Sequence, residues 1–190
     1  QGGYELRVIG VHDDLTPIKS SIEEFKPSIV FNLMEAFNDV VVFDQNVVSY
    51  LELLKMPYTG CNPRGLTLSR DKALAKKLMA YHRIPVPDFL VVPRGKKAKL
   101  PKRLGFPLIV KSLIYESSTG ISQASVVANE DQLNKRVQFV HDTIGTAAIV
   151  EQFIDGRELY AGVLGNDRLR VFPVWEMSFA KMPENTWHIA

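Results

Sequence analysis

The sequence predicts an α/β protein that turns α+β in its second half. Three observations carry this. Strand-like and helix-like apolar segments alternate over residues 4–56. Pro57, Gly60, Pro63 and Gly65 then punctuate the chain. Beyond residue 105, short apolar runs of strand length dominate, with one well-marked helix start at Asn129. The 190 residues, 46% hydrophobic, suffice for one large or two small domains.

In the first half, Tyr4 to Val11 and Ser28 to Leu33 read as strands, and Pro17 to Phe25 reads as a short helix with proline at an early helical position. Asp44 to Met56 reads as a helix with Val47, Val48, Leu51 and Leu54 on one face. Alternation of this kind predicts parallel strands with helical crossovers. Ser69 is the expected cap of a helix reaching about Tyr81, with Leu74, Leu78 and Tyr81 as its buried stripe. Lys72 and Lys76 share a different face. Phe89 to Val92 is a short strand, and residues 94–103 form a basic linker.

In the second half, Pro107 to Lys111 and Ser122 to Val127 read as strands flanking a hydroxyl-bearing loop. Asn129 caps a helix, with Gln132 at the capping-box position and Leu133, Val137 and Val140 on its core face. Ala147 to Val150 is a buried strand ending at Glu151. Leu159 to Leu164 and Leu169 to Val174 flank the turn Gly165-Asn166-Asp167, a hairpin signal.

Several function classes are disfavoured. A formal charge of +2 with no polybasic run gives no argument for nucleic acid. No apolar stretch reaches the roughly 18 residues of a membrane helix. Cys61 is the only cysteine, so no internal disulfide forms, which favours a reducing cytoplasm. It has no activating partner in sequence and reads as structural. His12, His82, His141 and His188 lack metal-ligand spacing. Trp175 and Trp187 read as core.

Four features break the local rule. Lys111 continues the apolar run Leu108-Ile109-Val110, where a lysine needs a compensating anion unless the strand emerges into solvent there. The following loop, Tyr115 to Gly120, offers the hydroxyls of Ser117, Ser118 and Thr119. Such a loop can close over phosphates, or it is an ordinary strand connection. Glu151 ends a buried strand, and Gln152, Phe153 and Ile154 continue it with backbone groups able to read a purine edge. Glu158, past the Asp155-Gly156 turn, can accept from a ribose diol. Each glutamate taken singly is also readable as a surface charge.

Taken in order, these pieces resemble the ATP-grasp superfamily, and within it the D-alanine–D-alanine ligases. The resemblance runs through Leu51-Glu-Leu-Leu-Lys-Met-Pro-Tyr-Thr-Gly60, Leu68-Ser-Arg-Asp-Lys-Ala-Leu-Ala-Lys-Lys-Leu78, Ile84-Pro-Val-Pro87, Phe106-Pro-Leu-Ile-Val-Lys-Ser112 and Ile149-Val-Glu-Gln-Phe-Ile-Asp-Gly-Arg-Glu158. It covers nearly the whole chain. It implies a partial Rossmann-like pre-ATP-grasp domain over 1–66, the small lid subdomain of an ATP-grasp domain over 67–145, and the start of its large subdomain over 146–190. By the same resemblance, Lys72 and Lys111 approach the nucleotide phosphates, which would serve as the counter-charge of Lys111. Glu151 lies near the adenine amino group, and Gln152, Phe153 and Ile154 belong to the segment holding adenine. Glu158 holds the ribose hydroxyls, and Ser117 lies near the reacting groups, with Ser118 and Glu35 on the substrate side.

The resemblance further implies ATP as phosphoryl donor, magnesium, small amino acid or peptide substrates, a cytoplasmic place in peptidoglycan synthesis and a possible homodimer. ATP phosphorylates a carboxylate, and an amine then displaces phosphate. Two positions depart from the pattern. Glu116 stands where the ligases have a glycine, and Glu35 where they have a histidine, so the substrate need not be D-alanine. The chain is expected to be a piece of a longer protein, with a first strand and helix before Gln1. The magnesium ligands are expected beyond Ala190, and the piece alone is expected to be inactive. Two alternatives use the same residues: a ligase for other amino acids or peptides, and a nucleotide-binding module without catalysis. A plain structural α/β domain would leave Lys111 buried without reason.

Overall fold

The structure, a computed structural model, describes residues 3–184 and 186–189. Contacts divide the chain into two units. One holds the N-terminal part to Ile84 together with Leu113–Glu116; the other holds Pro85–Ser112 and everything after Glu116.

The first unit is built on helices α1 (Thr16–Phe25) and α2 (Asp44–Leu53). Ile18, Val47 and Leu51 bury the apolar faces of both, and Leu15, Ile22, Val30, Met34 and Tyr58 pack around them. The α2 face agrees with the 3.6-residue spacing of its valines and leucines. Strand pairing is sparse among the described residues of this unit. Val30 makes a parallel bridge to Tyr58, its amide donating to the Pro57 carbonyl at 2.8 Å and its carbonyl accepting from Thr59 at 3.0 Å. The expected strand from Tyr4 to Val11 forms no ladder there, and Tyr4, Leu6 and Val8 are exposed. A strand exists only through its neighbour, so apolar alternation alone did not suffice.

The helix expected from Ser69 to Tyr81 is two helices, α3 (Pro63–Arg70) and α4 (Lys72–Tyr81). Asp71 separates them with an extended backbone (φ −80°, ψ 98°), and its carboxylate accepts from the Ala73 and Leu74 amides. Asp71 is therefore the cap, not Ser69, because it satisfies amides the new helix cannot pair internally. Asn62 caps α3 in the same way through the Gly65 amide. The expected stripe on α4 is also corrected: Ala73 is buried, whereas Leu74 and Leu78 are largely exposed and Tyr81 is 81% exposed.

The second unit centres on a four-stranded antiparallel sheet, β1 (Phe89–Val92), β2 (Leu108–Ser112), β3 (Val126–Val127) and β4 (Ala148–Gln152), in the order β1-β4-β2-β3. One face carries Val92, Leu108, Val110, Ala148 and Val150 and packs on Leu133, Val137 and Val140. Leu133 and Val137 come from helix α5 (Glu130–Phe139), which Asn129 caps through the Gln132 amide. Gln132 closes the cap through the Ala128 amide, one residue earlier than a standard capping box. The segment Gln123–Ser125, expected as strand, is a 3-10 turn, because Ser122 and Ser125 bond reciprocally across it.

Further on, β5 (Glu158–Tyr160) pairs with β8 (Trp175–Met177), and β6 (Val163–Leu164) with β7 (Arg170–Val171). These are two ladders of the expected hairpin, β6–β7 nested inside β5–β8. The return arm carries one extra residue between the ladders, where Pro173 has no amide to donate. Trp175, expected as core, is 73% exposed, and Trp187 is partly exposed. Cys61 is exposed. No helix of the described residues is long and apolar enough to cross a membrane.

Candidate functional site

The site residues fall into both units. In the second unit, register decides what Lys111 meets. Ile109 pairs with Glu151 and Lys111 with Ile149, so Lys111 and Glu151 are diagonal neighbours on one sheet face, opposite the face packed on α5. Lys111 Nζ lies 3.3 Å from Glu151 Oε2. The Glu151 side chain is 5% exposed and that of Lys111 30%. A buried carboxylate requires a partner, and this pair supplies it. The fold itself thus gives Lys111 a counter-charge in Glu151.

Beyond Gln152 the chain leaves the sheet. Gln152 is exposed, and its amide donates to the Asp88 carbonyl at 2.9 Å. The Phe153 amide donates to the Pro107 carbonyl at 3.2 Å, so that donor is engaged within the fold. Ile154 follows with its side chain exposed. The Phe153 ring meets Trp187 edge to face at 5.1 Å. Glu158 begins β5, and one of its carboxylate oxygens accepts from the Tyr160 hydroxyl. That bond raises the Tyr160 pKa above its ordinary value, because ionisation would set the phenolate against the carboxylate. Ser117 and Ser118 are exposed on the loop, with left-handed φ of 53° and 56°.

In the first unit, Lys72 opens α4. Its ammonium donates to the Tyr115 carbonyl and its amide to the Leu113 carbonyl at 3.2 Å. Glu35 is exposed. Three residues that the sequence reading passed over also matter. Asp44 and Arg70 form a buried ion pair, and Arg70 also lies 3.9 Å from the Glu116 carboxylate. In the second unit, Arg136 is buried and donates to the Gly120 carbonyl and to Ser125 Oγ. Burial lowers the Arg136 pKa from its ordinary value. Arg136 had a legible signal: it lies three residues after Leu133, on the apolar face of α5. Arg70 and Asp44, 26 residues apart, had none.

Among the described residues, no group of three His, Cys, Asp or Glu side chains is arranged to hold a metal ion. The magnesium ligands expected beyond Ala190 lie outside the described residues.

Known proteins are similar to this chain. A family model for the D-ala D-ala ligase C-terminus matches residues 78–182. A D-alanine--D-alanine ligase of Desulfotalea psychrophila is 39% identical over 137 residues, covering 70% of this chain and 42% of that protein. A protein of Sinorhizobium fredii described as uncharacterized protein y4sG is 32% identical over 178 residues, covering 88% of this chain and 51% of that protein. The chain thus spans about half the length of the curated relatives it matches. The crystal structure of D-alanine--D-alanine ligase from Bacillus anthracis complexed with ATP superposes with a TM-score of 0.67 at 22% identity, covering 86% of this chain and 53% of that one. That likeness shows the fold, a mixed α/β architecture with antiparallel sheets like those of ATP-grasp ligases. With the family match spanning more than half of its residues, the chain belongs to the D-ala D-ala ligase C-terminus family.

Proposed function

We propose that this chain carries the nucleotide-binding part of an ATP-dependent carboxylate–amine ligase that forms ADP through an acyl phosphate. The observation that carries this reading is the Lys111–Glu151 pair at the end of β2 and β4, followed directly by the Gln152–Glu158 segment. Along the chain a cation and a buried carboxylate are followed by an exposed backbone stretch and a second carboxylate, groups of the chemistry that phosphate, adenine and ribose require. In this reading Lys111 and Lys72 attract the phosphates. Glu151 accepts from the adenine amino group, residues 152–154 line the base, and Glu158 accepts from the ribose hydroxyls. Ser117 serves the reacting phosphoryl group, and Ser118 and Glu35 serve the substrate.

The chemistry divides into two displacements. A substrate carboxylate oxygen attacks the γ-phosphorus, and the bond to the ADP oxygen breaks. An amine nitrogen then attacks the acyl carbon, loses a proton, and inorganic phosphate departs with the C–O bond pair. The lysines act by offsetting charge on the transferring group and by positioning it. Closure of the hydroxyl-bearing loop would keep water from the acyl phosphate. Magnesium is part of the family expectation, and among the described residues no group of three His, Cys, Asp or Glu side chains is arranged to hold it. The pre-ATP-grasp, lid and large-subdomain assignments of 1–66, 67–145 and 146–190 belong to the same proposal.

Calorimetry with ATP tests the reading, comparing the parent with a Lys111→Ala, Glu158→Ala double variant. Weak binding that the variant abolishes is expected. A folded parent that binds no ATP would overturn the proposal for this chain. A second reading, a ligase joining other amino acids or peptides, is favoured by Glu35, a carboxylate where the ligases carry histidine. Product analysis of the full-length protein with mixed amino acids separates the two.

A further inference from the structure

The segment Leu113–Glu116, which leads from β2 to the hydroxyl-bearing turn, is held at three points to the junction of α3 and α4. The Lys72 amide donates to Leu113, the Lys72 ammonium donates to Tyr115, and Arg70 pairs with Glu116. The Arg70 guanidinium is buried, and the buried carboxylate of Asp44 already neutralises it. Glu116 is thus a second carboxylate on one cation, reaching it from a side chain that is 46% exposed. Nothing in the charge balance of Arg70 requires it.

The far end of the turn is tied within the second unit. Arg136 donates to the Gly120 carbonyl and Ser125 Oγ, and its guanidinium lies over the Phe139 ring at 4.3 Å. Gly120 has φ 73°, and a Cβ there would meet Ile144 Cδ1 at 2.7 Å. Between the two ties stand Ser117 and Ser118, both left-handed. For a residue with a side chain that conformation is unfavourable and persists only where the flanks over-determine it.

We propose that Glu116 is a positioning residue: its ion pair to Arg70 fixes the start of the loop that carries Ser117, Ser118 and Thr119, the three residues that would meet a phosphate. The inference rests on the nucleotide reading above for what the loop meets, but not for the tie itself. It also gives the departure at Glu116 a physical role, since this carboxylate is engaged with an arginine.

Hydrogen exchange read by mass spectrometry on the whole chain tests it, comparing the parent with Glu116→Gln, each with and without ATP. Glu116 is half-exposed, so the variant keeps the fold, and unchanged exchange in β2 and β4 peptides verifies this. Exchange in peptides spanning 113–121 is expected to rise about two- to fivefold in the variant, the range of a partly exposed ion pair. High salt should bring the parent toward the variant. Unchanged loop exchange in a folded variant overturns the proposal. If the loop loosens but ATP protects it in neither protein, the tie stands and the nucleotide reading fails. If ATP protects the parent loop while the variant matches the parent, the tie fails and the nucleotide reading stands.

Discussion

Lys111 and Glu151 meet diagonally across β2 and β4, Nζ to Oε2 at 3.3 Å, with the carboxylate buried. Each residue taken alone breaks the apolar pattern of its strand. Together they satisfy one another, and the antiparallel register is what brings them together.

Removing one member of this pair should therefore cost more than removing both. Lys111→Met strands a buried carboxylate and is expected to destabilise by about 1–3 kcal/mol, less than a fully buried pair because the lysine is partly solvated. Lys111→Met with Glu151→Gln is expected to recover about 1 kcal/mol or more of that loss. Urea denaturation of parent, both single variants and the double variant measures the coupling. Strict additivity would mean that the two side chains do not support one another.

The α3–α4 junction gives a second expectation. Asp71 accepts from the Ala73 and Leu74 amides, whereas Ser69 Oγ donates to the Leu66 carbonyl within α3. Asp71→Ala should cost about 1 kcal/mol, and Ser69→Ala less than about 0.5 kcal/mol. Equal losses in chemical denaturation would return the cap to Ser69.

How much of this was legible follows from what each feature depends on. The α2 face, the Asn129 cap and the apolar face of α5 depend on local spacing, which the sequence displays. The Lys111–Glu151 pair depends on register between strands 40 residues apart. The two residues could be flagged separately as misfits, but their meeting could not be read. The break at Asp71 was missed because a helix with the cap two residues earlier has nearly the same composition. Arg70, Asp44 and Glu116 lie in three separate segments and meet only through the packing of the first unit. The residues proposed to touch the nucleotide came from family resemblance, and the geometry adds their internal partners.

Tyr58 offers a pH test. Its hydroxyl donates to Glu52 Oε1 at 2.7 Å, and burial with this carboxylate pushes its pKa up to about 12. The unfolded value is about 10. A pKa raised on folding gives stability that is full below about pH 10 and lost as pH rises through about 12. The stability difference between parent and Tyr58→Phe should accordingly be constant to about pH 10 and shrink above it. In absorbance titration near 295 nm, the ionisation missing from Tyr58→Phe should lie near pH 12; a missing step near pH 10 would refute it.

The hairpin supplies the last prediction. Gly165 has φ 121°, and a Cβ there would come 2.2 Å from the Arg168 carbonyl oxygen, a contact with backbone that no side-chain rotation relieves. Gly165→Ala must therefore shift the turn between β6 and β7. The nearest cross-strand reporter outside those two strands is the Phe172 amide, which donates to the Gly162 carbonyl at 2.8 Å. The hairpin pairs only with itself among the described residues. Damage to its turn should thus open it locally, without opening the four-stranded sheet. Amide exchange at Phe172 is expected to accelerate at least about tenfold in Gly165→Ala, while Val150 amide exchange in β4 stays at the parent rate. Equal acceleration at both amides would mean that the hairpin and the sheet unfold as one cooperative unit.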